Sequence, residues 1–335
     1  MYISVLYSII KLFISNCFFN DILKKENLRK GILCGILAVF FVGLQPIVAN
    51  SRPKEIDPFI FAAMMSIVDL IIFSPFVLVE RKRLKMSIQN EIENKIITES
   101  LLNGWKRNKE MLIFVGLIFS VVPLLLFIGL DFAGAINGAL ASKSEVIFSL
   151  LFGFLILKEK ISKTQIIFSF VLLFGLTLAV TKGSFNLIEF NVGVLILLLD
   201  VALYMFGHAL VKKLYNKDEL TPYQFIFVRN LVSGVLLIST YFLLYPLENM
   251  GLFLDPVNIF YFILIGVVYG FGMLFWSKTL SYITMGKTII LISFSVFVSA
   301  IFASIFLGEI FTIFHLVGTS IVLFSIIIIV REKKD

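Results

Sequence analysis

The sequence predicts an all-α integral membrane protein: ten transmembrane helices as two inverted five-helix repeats, preceded by an N-terminal apolar interfacial helix. Three observations carry this. Of 335 residues, 59% are hydrophobic and only 15% charged, which is more apolar surface than a soluble domain can hide. Stretches of the about 20 apolar residues that a membrane-crossing helix needs recur along almost the whole chain. The chain also aligns with itself at a shift of 150 residues.

With so little polar sequence between the apolar stretches, no separate soluble domain fits, and function must reside among the helices. The net charge of +7 raises nucleic acid as a partner, but the basic residues fall in short runs between apolar segments, where orientation in the bilayer accounts for them. No nucleic-acid partner is expected. Cys17 and Cys34 lie in or beside apolar segments, without CxxC spacing or a Cys/His cluster, so neither disulfide, metal nor other cofactor is expected.

Residues 1–20, MYISVLYSIIKLFISNCFFN, are apolar but short and carry Lys11. This predicts a helix lying in the interface rather than an eleventh span. A signal peptide is disfavoured, because the stretch opens without positive charge and no small-residue cleavage site follows. A basic linker runs to residue 30. Spans are then expected at 31–50, 58–79, 111–130, 135–157, 164–181, 192–211, 222–245, 257–277, 286–307 and 312–330. Lysines and arginines crowd every second junction: Arg81, Lys82, Arg83 and Lys85 after the second span, Lys158, Lys160 and Lys163 after the fourth, Lys212, Lys213 and Lys217 after the sixth. The positive-inside rule then places both termini in the cytoplasm of a cell-membrane protein. The loop 80–110 has Ile88, Ile92 and Ile96 at four-residue spacing among charges, the pattern of an amphipathic helix on the membrane surface.

The self-alignment pairs Gly116 with Gly266, Val146 with Val296, Ser149 with Ser299 and Glu159 with Glu309. It divides the chain into repeats at 31–181 and 182–330 with a tail at 331–335. Five spans is an odd number, so the second repeat enters the membrane from the side opposite to the first. The turns change charge accordingly: LKEKISK after the fourth span carries three lysines, and its copy LGEIFTIFH after the ninth carries none. Inverted repeats are the architecture of alternating-access transporters.

At this point the sequence resembles the drug/metabolite transporter superfamily, specifically its EamA-like branch. The resemblance covers residues 31–330 and rests on ten spans in two halves and on the paired segments LFGFLILKEKISKTQIIFSFVLLFGLTLAV and FASIFLGEIFTIFHLVGTSIVLFSIIIIV, each with a glutamate closing a span before a short turn. The resemblance implies a transporter, not an enzyme, with a central cavity lined mainly by the first, third, fourth, sixth, eighth and ninth spans. It is nearly silent about substrate, since relatives move amino acids, sugars, nucleotide derivatives and toxic amphiphiles. Where relatives carry a proline in the fourth span, this chain has Glu145-Val146.

The chemistry-bearing residues are charges at membrane depth, which are costly unless paired or wet. A rise of about 1.5 Å per residue puts Lys143 roughly 12 Å, Glu145 roughly 15 Å, Asp69 roughly 16 Å and Asp200 roughly 10 Å below the outer face. Positions i and i+2 of an α-helix point about 200° apart, so Lys143 and Glu145 are not expected to face each other. Lys143 is expected to meet Asp69 or Asp200, leaving one carboxylate free. Their repeat mates are Ser293, Ser295, Ser233 and Ala38, and a site for one substrate need not repeat where scaffold should. Lys143, Glu145, Asp69 and Asp200 are therefore the candidates for binding substrate or a coupled proton. The bland alternative is a set of ion pairs that fix helix register. Gln45, Asn137, Tyr204, Tyr269 and Trp276 are candidates for the cavity lining, although aromatics more often face lipid. Arg229 reads as snorkelling or structural, His208 as solvated, Glu159 and Glu309 as helix-end residues, and Lys278 and Lys287 as boundary residues. Gly31-x-x-x-Gly35, Gly134-x-x-x-Gly138 and Gly266-x-x-x-Gly270 read as small-residue contacts.

The expected function is secondary transport of a small organic metabolite, an amino acid or related zwitterion or amphiphile being favoured, by a monomer or homodimer in the lipid bilayer. A lipid-modifying membrane enzyme and a non-transporting scaffold are the rivals. The first lacks clustered acid, base or metal-ligating residues.

Overall fold

The computed structural model describes residues 28–89, 95–158, 161–183, 191–244, 251–283 and 285–331. The expected interfacial helix at 1–20 and Glu159 lie outside them. The described chain is nearly all helix: α1 Leu28–Ser51, α2 Pro58–Gln89, α3 Lys95–Arg107, α4 Lys109–Ala133, α5 Ala135–Ala141, a 3₁₀ turn Ser142–Ser144, α6 Glu145–Leu157, α7 Lys163–Val180, α8 Val192–Asn216, α9 Pro222–Leu244, α10 Pro256–Tyr282, α11 Met285–Ser293, α12 Ser295–Phe306 and α13 Ile313–Arg331. Among the described residues seven helices are long and apolar enough to cross a membrane, with α5 and α6 together counting as one. Three shorter apolar helices, Lys163–Ala179, Leu291–Phe306 and Ile313–Ile329, fall at the fifth, ninth and tenth expected positions.

Local signals set several helix ends. Ser162 accepts a hydrogen bond from the Gln165 N–H while the Gln165 side chain accepts one from the Ser162 N–H, a capping box that starts α7. Asp255 caps α10 through the Val257 and Asn258 N–H groups, with Pro256 at the first helical position. Helices α1, α2 and α4 run on through Pro46, Pro75 and Pro123. Pro123 cannot donate to the Phe119 carbonyl, and Ser233 Oγ of α9 donates to that oxygen at 3.5 Å.

The closest helix neighbours come in matched sets. α1 packs on α10 as α8 packs on α4, α12 on α1 as α6 on α8, while α2 pairs with α9 and α7 with α13. Each pairing maps onto another, or onto itself, when the two halves are exchanged. Between lipid-facing helices there is little hydrophobic driving force, and close packing through small residues takes over. The α7–α13 crossing shows how close: a Cβ on Gly318 would lie 2.5 Å from the Gly175 carbonyl oxygen. Gly31, Gly35, Gly266 and Gly270 likewise meet side chains of neighbouring helices. Gly134 differs from the expectation, for it stands between α4 and α5 with φ +78°, a conformation that glycine adopts without strain.

The segment 80–110 also departs from the single surface helix expected. α2 continues to Gln89, and α3 buries Thr98, Leu101 and Gly104 against protein. Ile96 is exposed, and Ile92 lies outside the described residues. Polar and charged side chains of the segment instead tie α2 and α3 to the α8–α9 turn and the start of α9. Glu219 accepts from Asn108 Nδ2 at 2.9 Å and pairs with Arg107 at 2.8 Å; Gln224 donates to the Leu101 carbonyl and Thr221 to Glu80. At the opposite end of the bundle Arg52 pairs with Asp131 at 2.7 Å.

Candidate functional site

The fourth expected span is interrupted at mid-length: α5 ends at Ala141, the 3₁₀ turn Ser142–Ser144 intervenes, and α6 restarts at Glu145. Its repeat copy breaks at the matching point, with α11 ending at Ser293 and α12 starting at Ser295. Such breaks free backbone polar groups within the membrane and are tolerated only where protein or a cavity satisfies them.

A cavity lies at these breaks. Its volume is about 80 Å³. Lys143, Glu145, Asp200, Gln45, Tyr204, Tyr269 and Trp276 line it, together with Ser142, Met273 and Ile292. A smaller cavity of about 40 Å³ shares Gln45, Ser142 and Lys143 with it, and adds Ser295 and Ser299. Lys143 thus stands on the wall common to both.

Two expected members lie elsewhere. Asn137 donates to the Ala133 carbonyl within its own helix. Asp69 is fully buried outside the lining, where its Oδ2 accepts from Asn230 at 3.3 Å and sits 3.5 Å from Arg229. Lys143 therefore does not pair with Asp69. It pairs with Glu145 at 3.7 Å and donates to Ser295 Oγ at 3.1 Å. The α-helical expectation fails because the intervening turn is 3₁₀. At about 120° per residue, i and i+2 come within roughly 120° of each other instead of 160°, and the long lysine stem reaches round the rest.

Arg229 is not a snorkelling residue. Its guanidinium donates to Asn230 Oδ1 at 3.1 and 3.0 Å and lies 5.3 Å from the ring centres of both Phe119 and Tyr269. His208, expected to be solvated, is fully buried, and its ring accepts from Trp276 Nε1 at 3.1 Å. Both act from behind the cavity wall, Arg229 bracing Tyr269 and His208 bracing Trp276. Their shared signal in the sequence was only a polar residue in an apolar span. Lys278 is buried over the Tyr223 ring. Asp200 lines the cavity with Oδ1 buried and without a hydrogen-bond partner among the described residues.

Ser295 was missed as a site residue, although it was visible as the repeat mate of Glu145. Glu309 accepts from the Ala135 and Ile136 N–H groups at 2.7 and 2.9 Å, capping α5 from the other repeat. Among the described residues no group of three His, Cys, Asp or Glu side chains could hold a metal.

These features define a polytopic helical membrane protein with a charged internal cavity walled by both halves of the chain. The chain belongs to the EamA-like transporter family, whose model matches residues 29–181 and 191–331, once on each half. That family comprises membrane transporters rather than enzymes. A protein named uncharacterized transporter from Methanothermobacter thermautotrophicus (strain Delta H) is 26% identical over 166 residues, 49% of this chain and 47% of that protein. The match thus spans about half the length of that curated relative. A solved crystal structure of another protein is similar in fold with a TM-score of 0.58, covering 90% of this chain and 96% of that one at 10% identity.

Proposed function

We propose that the protein is a secondary transporter that moves a small organic metabolite across the cell membrane by alternating access. The observation that carries this reading is the charged cavity: Lys143 and Glu145 of one repeat, Asp200 and Trp276 of the other, and Ser295 bonded across to Lys143. A site built where two equivalent halves meet can open to either side as the halves rock. Intramembrane charges gathered around empty space, rather than packed away, favour a ligand over a scaffold.

In this reading the seven long spans and three shorter apolar helices form ten crossings in two inverted repeats, with both termini in the cytoplasm. The α3 clasp on the α8–α9 turn then lies on the cytoplasmic side, and the Glu309 cap lies near the outer face. The sequence-based expectation of an amino acid or related zwitterion or amphiphile narrows here to a small charged metabolite or amphiphile, with a proton as a candidate coupling ion.

Uptake of a broad metabolite panel into proteoliposomes holding the purified protein tests this. Saturable accumulation of at least one solute, abolished in Asp200→Asn and Lys143→Met, is expected. Equal flux through protein-free vesicles for every solute would sink the transporter reading and favour the scaffold.

A further inference from the structure

We propose that the larger cavity selects its substrate by charge, as an organic monocation held by Asp200 and the aromatic rings of Tyr204 and Trp276, in preference to a zwitterion or an anion. This rests on the transporter reading and names the substrate class of the same site.

The charge count comes first. Among the described residues the lining carries one cationic side chain, Lys143, and two carboxyl groups, Glu145 and Asp200. Lys143 is already engaged by Glu145 at 3.7 Å and by Ser295 at 3.1 Å, so these two carry no net charge together. Behind the wall, Arg229 and Asp69 cancel in the same way at 3.5 Å. His208 accepts the Trp276 N–H on a ring nitrogen, which only a neutral imidazole can do. Asp200 is left as the carboxyl of the lining without a cation beside it, and its buried Oδ1 has no hydrogen-bond partner among the described residues. An unpaired carboxylate in a low-dielectric site is costly, and one positive charge on the occupant removes that cost.

The neighbours of Asp200 fit an ammonium. Tyr204 lies four residues further along α8, one turn away on the same face. Trp276 is fixed by His208, and the Tyr204 and Trp276 ring centres are 6.1 Å apart. Aromatic faces attract cations, most strongly where water is excluded. Tyr269 already bears Arg229 on its ring at 5.3 Å, so Tyr204 and Trp276 are the faces left for the ligand. Val122, Leu126, Val201 and Met273 supply apolar surface for its carbon skeleton. A zwitterion's carboxylate would have to displace Glu145 from Lys143 or bind beside uncompensated acid, and an anion meets no unpaired cation among the described lining residues.

The test uses the full-length protein in detergent and three carbon skeletons, butyl, phenylethyl and indolylethyl. Each is presented as the amine, the corresponding α-amino acid and the corresponding carboxylate, and ligand-induced thermal stabilisation is read. At least one amine is expected to stabilise the wild type at a concentration about tenfold or more below its amino acid, with the carboxylates inert. Asp200→Asn is expected to raise the amine concentration needed by about tenfold or more, the loss of a charge-assisted contact. The same substitution should leave the melting of the unliganded protein unchanged or raised, because a neutral amide is easier to bury than a free carboxylate. Asp200→Glu keeps the charge and should keep the preference for amines.

An amino acid that binds as well as its amine overturns the proposal, and so does an undiminished amine preference in Asp200→Asn. Failure of every amine to stabilise the wild type overturns it too. In each case the transporter reading stands if proteoliposomes still accumulate some solute of the panel, and falls with the proposal if they accumulate none.

Discussion

The broken span Ala135–Leu157 and its copy Met285–Phe306 share a geometry and differ in chemistry. Both interrupt their helix at equivalent residues, 142–144 and 294, and both begin the second half at a residue facing the same place, Glu145 and Ser295. One half carries Lys143 and Glu145; the other offers Ser293 and Ser295. Ser293 turns back to the Ile289 carbonyl of its own helix, whereas Lys143 reaches across to the copy. The break is therefore a property of the repeat, and the charge a property of one half alone. Relatives are expected to carry a proline near the first break; here the 3₁₀ turn opens the helix without one. What duplication supplies is the framework, and what divergence adds is the recognition chemistry.

The largest way to break this comparison is to remove one member of the pair. Lys143→Met leaves Glu145 buried without its cation and is expected to cost about 3–5 kcal/mol, read as lost stability to denaturant in detergent. The double variant Lys143→Met/Glu145→Met should recover most of that, since a buried pair and an apolar replacement are often close in stability. If the single and double variants are equally unstable, Glu145 owes nothing to Lys143, and the 3.7 Å contact is incidental.

Next in size is the bond that joins the two breaks. Ser295→Ala removes the acceptor 3.1 Å from Lys143 Nζ and is expected to cost about 1.5–3 kcal/mol, the range for hydrogen bonds to charged groups. Ser293→Ala is the control on the copy itself and should cost less than half as much, because its hydroxyl only returns to its own helix. Equal losses would erase the distinction between a bridging and a local serine.

Smaller effects are expected where the second repeat caps the first. Glu309→Gln keeps the shape and drops the charge at the start of α5, whose Ala135 and Ile136 N–H groups it now accepts; about 1 kcal/mol is expected from losing an anion at a helix N-terminus. Gly134→Ala, at φ +78° and with a new Cβ 3.2 Å from Glu309 Oε1, should also cost about 1 kcal/mol. Leaving aside the Ser293→Ala control, thermal melting of the single variants should therefore rank Lys143→Met lowest, then Ser295→Ala, with Glu309→Gln and Gly134→Ala nearest wild type.

Much of the fold was legible in the chain itself. Apolar runs mark where helices cross, and the shift of 150 residues marks the repeat that the helix pairings follow. Seven of the nine residues singled out for the site line the cavity, because a polar side chain in a membrane span must find a partner or water. Asp69 is expected there from its depth and Asn137 from its polar side chain in a span, and neither property says which way a side chain faces. Arg229 was read by depth too, although its surroundings proved to be two aromatic rings, an asparagine and an aspartate.

By itself, then, the sequence determined that this is a membrane protein of repeated helices with charges at depth, and which family it belongs to. Hydropathy and repetition are local or periodic along the chain, and one sequence records them fully. Only the tertiary structure decided which charges neutralise each other: Lys143 with Glu145, Arg229 with Asp69, and Asp200 left facing the cavity. Asp69 and Arg229 are 160 residues apart in the chain, and whether they touch depends on how their two helices are rotated and how closely they pack. That rotation is set by the whole bundle, and even the nearest pair, two residues apart, was decided by a turn of 3₁₀ helix rather than by spacing.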